Sequence, residues 1–377
     1  VSGVWGPGWS CVRCGRSKRC VLPCRVVWVG IAEEELRVFL RESAIERGSS
    51  PGLPWMAMGM ASVGEVVDDH LSLLTHLVNE RMSIRDQHLH WRASPSEYVI
   101  SGLRDCASLF IKNELHGATK LETGRLRLIF AVGFTDTVVE RLMLGPLYKK
   151  ECANWQTQPN VAGFGLTDDM CADLRQQVGP DPVDSDDMSY YDWCFTEALS
   201  DSVDLVHIAQ LGIEPDCGLA AHLRLSSRMT MSKVVVLGDG SLLEQVEPGI
   251  MESGSLGTNA KDGKGRNILA LCAGAWYSRS MGDDSISRGA DYSWYSKYAL
   301  PVTRAVVPPG VLFEFCSAWF WEDGRVEPLN WGKATAKLLR HSPDPGLYVQ
   351  WRYEMRGLSP GLLGELECFA AQQGWRF

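Results

Sequence analysis

The sequence predicts a globular protein of mixed helices and strands, and three features predict it. Apolar residues recur at helical spacing in IAEEELRVFLRESAIER (31–47), where Leu36, Phe39, Leu40 and Ile45 stand among charges. Two short runs, Ala275–Ser280 and Ser285–Arg288, flank Gly282-Asp283-Asp284 and read as a hairpin with acids at its tip. Leu126–Val132 reads as an apolar strand. With 45% apolar and 22% charged residues, the 377-residue chain is too apolar for a disordered one and long enough for two or three subdomains.

Against 46 acidic residues stand 37 basic ones, a formal charge of −9. That balance rules out a generic polycation holding nucleic acid by net charge, so any such grip must come from a local basic surface. No apolar run reaches the ~18 residues of a membrane-spanning helix. The chain starts with Val and shows no basic-then-apolar leader, which reads as a cut from a longer reading frame or polyprotein. Eight of the twelve cysteines are scattered singly, which reads as reduced and intracellular. The other four, Cys11, Cys14, Cys20 and Cys24, form a C-x2-C-x5-C-x3-C cluster compact enough for one tetrahedral zinc. The spacing matches no common zinc motif closely, so chance cysteines at an arbitrary chain end are the competing explanation.

Further elements follow in order. Ser50-Pro51-Gly52-Leu53-Pro54 breaks the chain after the first helix. Val63–Met82 reads as a second helix with Leu71, Leu74, Leu77 and Val78 on its apolar face. His70 and His76 lack ligand spacing and read as ordinary histidines, as do His88 and His90. In FIKNELHGATKLETGRLRLIF, Lys112, Lys120, Arg125 and Arg127 lie near the apolar strand. Arg125 and Arg127 are two apart and so share a strand face, an arrangement that suits a triphosphate or equally a solvated surface. Thr258 opens a helix expected to run to about Trp276, preceded by the flexible Ser253-Gly254-Ser255 loop. The last 50 residues read as helical, with Ala334, Leu338 and Leu339 and then Leu362, Leu363, Leu366 and Phe369 as core stripes.

Acidic charge is concentrated. From Asp168 to Asp204 there are eleven carboxylates and a single basic residue, Arg175. Within this run, DMSYYDWCF places Asp187 at a strand end and Asp192 one turn later. Three carboxylates on adjacent strand ends, Asp187 with Asp283 and Asp284, can hold two magnesium ions ~4 Å apart for in-line phosphoryl transfer.

These pieces together resemble the viral RNA-dependent RNA polymerases of sobemovirus-like and barnavirus-like plus-strand RNA viruses. The resemblance runs from about Ser50 to Leu339 through SSPGLPW, SEYVISGLRDCASLFIKNELH, GRLRLIF, DMSYYDW, SGSLGT, MGDDS, FEFCSAWF and NWGKATAKLL, in family order. It implies an α+β right-hand polymerase with an antiparallel, RRM-like palm, fingers and a short helical thumb. The implied divisions are a Cys-rich segment at 1–24, fingers at 25–180, palm at 181–202, a fingers insertion at 203–245, palm at 246–325 and thumb at 326–377. It also implies template-directed nucleotidyl transfer with two Mg2+ or Mn2+ ions on Asp187, Asp283 and Asp284. Lys112, Arg125 and Arg127 would hold the triphosphate. Asp192, Ser253, Gly254, Thr258, Asn259 and Asp262 would line the nucleotide site, with Asp192, Ser253 and Thr258 at the positions that read the ribose 2′-hydroxyl. Lys297 or Arg304 would be the general acid, and Phe313–Phe320 the primer grip. The implied partners are template and nascent RNA, nucleoside triphosphates and an upstream polyprotein partner. The implied location is the host cytoplasm, at membrane-associated replication complexes reached through other proteins.

The chain departs from the family pattern SGxxxTxxxN at Asp262, where Asn is usual, while Asn259 points about 100° away on a helix. Gly263 and Gly265 are expected to weaken this helix by roughly 1 kcal/mol each relative to Ala. Arg304 is a poor proton donor, since arginine's pKa exceeds ~12. Three other readings compete. A reverse transcriptase would carry a Tyr two residues before the paired aspartates, where Met281-Gly282 stands here. A non-catalytic palm relic would bind RNA without needing three carboxylates. A metal-dependent phosphohydrolase leaves the Arg125–Arg127 strand without a role.

Overall fold

The computed structural model describes residues 6–12, 25–124 and 126–375. The zinc reading rests on the Cys11 side chain and on Cys14, Cys20 and Cys24, and it lies outside the described residues, as does Arg125. The chain divides into two compact units. The first takes Val1–Lys112, Leu126–Ala153 and Tyr190–Gly265; the second takes Asn113–Arg125, Asn154–Ser189 and Arg266–Phe377.

In the first unit a four-stranded sheet runs in the order Leu128–Ala131, Ala107–Ile111, Val234–Val236, Leu242–Glu244. Its outer pairs are antiparallel and its central pair parallel. The apolar strand is shorter than its sequence suggests, starting at Leu128, but the pairing continues one step further because Lys112 N donates to Arg127 O at 2.8 Å. The helix expected within 31–47 forms over Glu33–Glu42, stopping short of Ile45. Its Leu36 and Leu40 are buried, and the three acids of its first turn and Arg41 in its last suit the helix dipole, with Glu42 against it.

The stretch expected as one helix over 63–82 is two, Val63–Asp69 and Leu71–Gln87, joined at His70 with φ −129 and ψ 22. Asp68 and Asp69 stand immediately before the second helix, where negative charge suits the N-terminal end of its dipole and so favours a new start there. Leu71, Leu74 and Val78 are buried as the spacing requires.

In the second unit an antiparallel sheet runs Val302–Arg304, Asp184–Met188, Asp284–Arg288, Tyr277–Met281. A second sheet takes Val311–Phe315, Ala318–Trp321 and Val326–Pro328. Ile286 of the first sheet and Phe313, Phe315 and Phe320 of the second meet Trp155, Val161, Phe164 and Leu174 in one buried core. FEFCSAWF is therefore a buried aromatic hairpin, with Phe313 and Phe320 stacked at 4.5 Å. Helices Trp331–Leu339, Pro345–Glu354 and Pro360–Gln372 close on Leu338, Trp351, Met355, Leu358, Ala370 and Trp375. Phe369 does not join that core and stays exposed, because Ala370 is the residue that its helix turns inward. Among the described residues no helix is long and apolar enough to cross a membrane.

Candidate active site

Strand register brings the predicted carboxylates of the second unit together. Tyr277–Met281 and Asp284–Arg288 pair up to Met281↔Asp284, leaving Gly282 and Asp283 as the two-residue turn. Gly282 has φ 64, the left-handed conformation that primed hairpin turns need at this position. Asp184–Met188 pairs with the far side of the hairpin through Asp184↔Ser287 and Asp186↔Ser285. One step further along that antiparallel register, Asp187 comes level with Asp284.

Side chains alternate across a strand, so Asp186 and Asp187 face opposite ways. Asp187 is exposed with Asp283 at the hairpin end, whereas Asp186 is only 4% exposed. Asp186 is satisfied from two sides: the buried Arg266 guanidinium binds Oδ1, and Tyr292 Oη donates to Oδ2 at 3.0 Å. Arg266 Nε also donates to the Asp283 carbonyl at 3.2 Å, which ties the turn to the neighbouring strand. Asn267 holds the hairpin's other arm, its Nδ2 donating to Ser280 Oγ at 2.6 Å and its Oδ1 accepting from Ser278 Oγ at 2.7 Å.

The electrostatics follow from this crowding. Burial, then the charges of Asp283, Asp187 and Glu314, push Asp284 up to about 7, with Arg266 pulling it back. Partial desolvation at the strand end, then Asp283, raises Asp187, opposed by Arg266 and Lys120. Burial also raises Glu314, with Asp187 adding to it. Carboxylates that resist ionising side by side are a donor set whose repulsion a hard divalent cation relieves. As the side chains stand, no group of three His, Cys, Asp or Glu among the described residues forms a metal-holding cluster.

The other two candidates in this unit are surface groups. Arg304 is paired with Asp184 at 2.6 Å and lies over the Tyr292 ring at 4.7 Å. Lys297 lies 5.5 Å from the Tyr298 ring.

The remaining candidates belong to the first unit. Lys112 and the exposed Arg127 stand across from each other at one end of the Ala107–Ile111 and Leu128–Ala131 pair. Ser253 Oγ accepts from Phe130 N at 3.3 Å, so the small-residue loop is laid against the same strand, with Gly254 exposed. The Thr258 hydroxyl donates to the carbonyls of Glu252 at 2.8 Å and Ser255 at 2.9 Å, and lies 3.0 Å from Ser255 Oγ. Thr258 opens a helix that ends at Cys272, short of Trp276. Asn259 is exposed, Asp262 is buried, and the Asp262 carbonyl accepts from Tyr191 Oη at 2.9 Å. Asp192 is half-buried on the short helix Tyr191–Cys194, its carbonyl accepting from Met251 N at 2.8 Å.

Sequence reasoning missed Arg266, Asn267, Tyr292 and Glu314. Arg266 and Asn267 follow Lys261, Asp262 and Lys264 on the same helix, so nothing in the sequence set them apart from its other polar residues.

Residues 44–177 match a family model described as viral RNA-directed RNA-polymerase. Protein P1-P2 of Potato leafroll virus is 28% identical over 356 residues, covering 87% of this chain and 32% of that protein. The RNA-directed RNA polymerase of Mushroom bacilliform virus is 28% identical over 338 residues, covering 83% of this chain and 79% of that protein. Replicase polyprotein P2AB of Southern bean mosaic virus is 32% identical over 321 residues, covering 81% and 33%. The chain thus spans about a third of the length of the first and third of these relatives. Among solved structures, a Sicinivirus 3Dpol RNA dependent RNA polymerase matches with a TM-score of 0.67 at 17% identity, covering 87% of this chain and 73% of that one. That likeness shows the fold class expected from the sequence, α+β of the right-hand polymerase kind.

Proposed function

Because this chain belongs to the viral RNA-directed RNA-polymerase family, among sobemovirus-like and barnavirus-like relatives, we propose that it extends RNA on an RNA template in replicating a plus-strand genome. The observation that carries this reading is the strand register that sets Asp187 beside the Asp283–Asp284 tip.

In the proposed reaction the primer 3′-hydroxyl attacks the α-phosphate of a bound nucleoside triphosphate, a new P–O bond forms and pyrophosphate leaves. Asp187, Asp283 and Asp284 would hold two Mg2+ or Mn2+ ions, which when bound neutralise phosphate charge and favour the attacking and leaving oxygens. Lys112 and Arg127 would grip the triphosphate, since a guanidinium offers paired donors to phosphate oxygens. Little covalent work then falls to the protein, and positioning dominates.

Arg266 fixes the turn backbone and Asn267 the hairpin arm, so both act as positioning residues. The Ser253–Thr258 loop with Asp192 and Asn259 would read the sugar. Asp262, buried on the helix that Thr258 opens, stands where the family usually carries Asn. Of the two general-acid candidates, Lys297 has the chemistry to release a proton, whereas Asp184 and Tyr292 hold the Arg304 proton more firmly still. We assign fingers to 25–180 and 203–245, palm to 181–202 and 246–325, and thumb to 326–377, in the cytoplasm of the host cell.

Primer extension on an RNA template with Mg2+ or Mn2+, run beside Asp283→Ala, tests the reading. Extension by the unaltered protein and none by the folded variant supports it; equal extension by both refutes it.

A further inference from the structure

The Ser253–Gly257 loop is held at its start by Ser253, whose Oγ accepts from the Phe130 backbone N–H across 123 residues of sequence, and just past its end by Thr258, which bonds locally to the Glu252 and Ser255 carbonyls. Between them lies a second long-range tether. Leu256 N donates to Glu140 Oε2 at 2.9 Å, across 116 residues of sequence. The other oxygen of the same carboxylate faces Lys261 Nζ at 3.4 Å, in the first turns of the helix that the loop opens. Glu140 and Lys261 are each only 6% exposed, so this ion pair lies out of water, where a charge-assisted bond to an amide counts for more than at a surface.

Glu140 sits on the long helix Phe134–Ala153, and two turns on, the same face presents Tyr148. The Tyr148 ring lies directly against Gly257, where a Cβ would come within 2.0 Å of the ring. Glu252, at the loop's near end, is clamped by Arg104 Nη2 at 2.8 and 3.1 Å. One helix face therefore supplies both the acceptor for the loop's central amide and the floor for its last residue. The acceptor must be a carboxylate: two donors approach its two oxygens, and an amide side chain has only one oxygen to offer them.

We propose that Glu140 is a positioning residue for the Ser253–Gly257 loop, and that through it the Phe134–Ala153 helix sets how strictly the loop selects the sugar of the incoming nucleotide. The second half of this statement rests on the polymerase reading above; the first half does not.

Two measurements on the full chain separate them. Hydrogen–deuterium exchange at the Leu256 amide is compared between the unaltered protein, Glu140→Gln, which keeps the shape, and Glu140→Asp, which keeps the charge but withdraws the acceptor. The ratio of kcat/KM for ribo- over deoxyribonucleoside triphosphates is measured on the same three proteins. Exchange at Leu256 is expected to rise about tenfold or more in both variants, the size of one lost charge-assisted bond, with the Leu128–Ala131 amides unchanged. The sugar ratio is expected to fall about fivefold or more, carried by the KM for the ribonucleotide rather than by kcat.

Unchanged exchange at Leu256 in both variants overturns the tether. Raised exchange with an unchanged sugar ratio reduces Glu140 to a structural residue and overturns the selectivity claim. An unaltered protein that extends no primer defeats the polymerase reading and the selectivity claim with it, while the exchange comparison still decides the tether.

Discussion

Arg266 and Asp186 form an ion pair closed off from solvent, with side-chain exposures of 0% and 1%. The same guanidinium reaches the Asp283 carbonyl, so a buried charge pair on one side of the sheet fixes the turn that carries an exposed carboxylate on the other. Removing one member leaves the other buried and uncompensated, at a cost of about 3–5 kcal/mol. Arg266→Ala is therefore expected to lose that much in urea unfolding and most nucleotide incorporation. Replacing both, as Arg266→Met with Asp186→Leu, is expected to recover most of the stability. Incorporation should stay low, because the Asp283 backbone is still unheld. A double variant as active as the unaltered protein would show that the turn needs no such anchor.

The proposed donor set of Asp187, Asp283 and Asp284 predicts opposite effects with and without a divalent cation. Without one, Asp284→Asn removes a group that burial, and then its charged neighbours, push up to about 7, so the melting temperature is expected to rise. With Mg2+ at a hundredfold excess over its dissociation constant, the unaltered protein is expected to gain about 2.7 kcal/mol. Asp187→Asn and Asp283→Asn should lose most of that gain. Thermal melts across a Mg2+ series, with a chelator as the zero point, read both effects. A full Mg2+ increment in Asp283→Asn would remove that residue from the donor set.

Asp204 gives the first unit a pH dependence of known sign. It is almost fully buried on the helix Glu197–Leu211, accepts from Ser227 Oγ at 2.8 Å and lies 3.9 Å from His207 Nδ1. Burial raises it to about 7, opposed by Ser227 and Lys261. Burial also holds His207 well below its usual range, with Lys264 and Lys261 adding to that effect, so the histidine supplies no compensating charge. A carboxyl raised in the folded state keeps its full stability contribution below its unfolded value of ~4 and loses it as pH rises toward 7, up to about 4 kcal/mol. Asp204→Asn is expected to flatten that decline. Parallel slopes for both proteins in urea unfolding from pH 4 to pH 8 would contradict the assignment.

What the sequence discloses is what depends on neighbours along the chain. The Asp283 hairpin is legible because the turn and its flanking runs occupy one short window, and helix Glu33–Glu42 because its apolar period and end charges do likewise. Arg266 is not legible: its partner lies 80 residues away, and a single charge on a helix reads as solvated until the strand beside it is known. Asp186 and Asp187 look equivalent as letters and are separated only by which face of the strand each takes. His70 shows a different limit, since apolar spacing runs straight through the junction and only the paired acids Asp68 and Asp69, which suit the start of a new helix, mark it.

Gly265 shows how packing reverses a local rule. Helix propensity alone says that Ala in its place should stabilise the helix Thr258–Cys272 by roughly 1 kcal/mol. But a Cβ at this position would stand 2.4 Å from the Tyr191 hydroxyl and 2.9 Å from the Phe195 ring, both in buried side chains. Tyr191 Oη in turn donates to the Asp262 carbonyl at 2.9 Å, so it cannot retreat without giving up that bond. Overpacking of this kind costs about 1–3 kcal/mol, which exceeds the propensity gain. Gly265→Ala is therefore expected to destabilise the protein in urea unfolding, and Gly265→Ala combined with Tyr191→Phe to recover part of the loss by removing the closest atom. If the single substitution stabilises instead, the close approach of the two helices is not a constraint and the glycine is a tolerated defect.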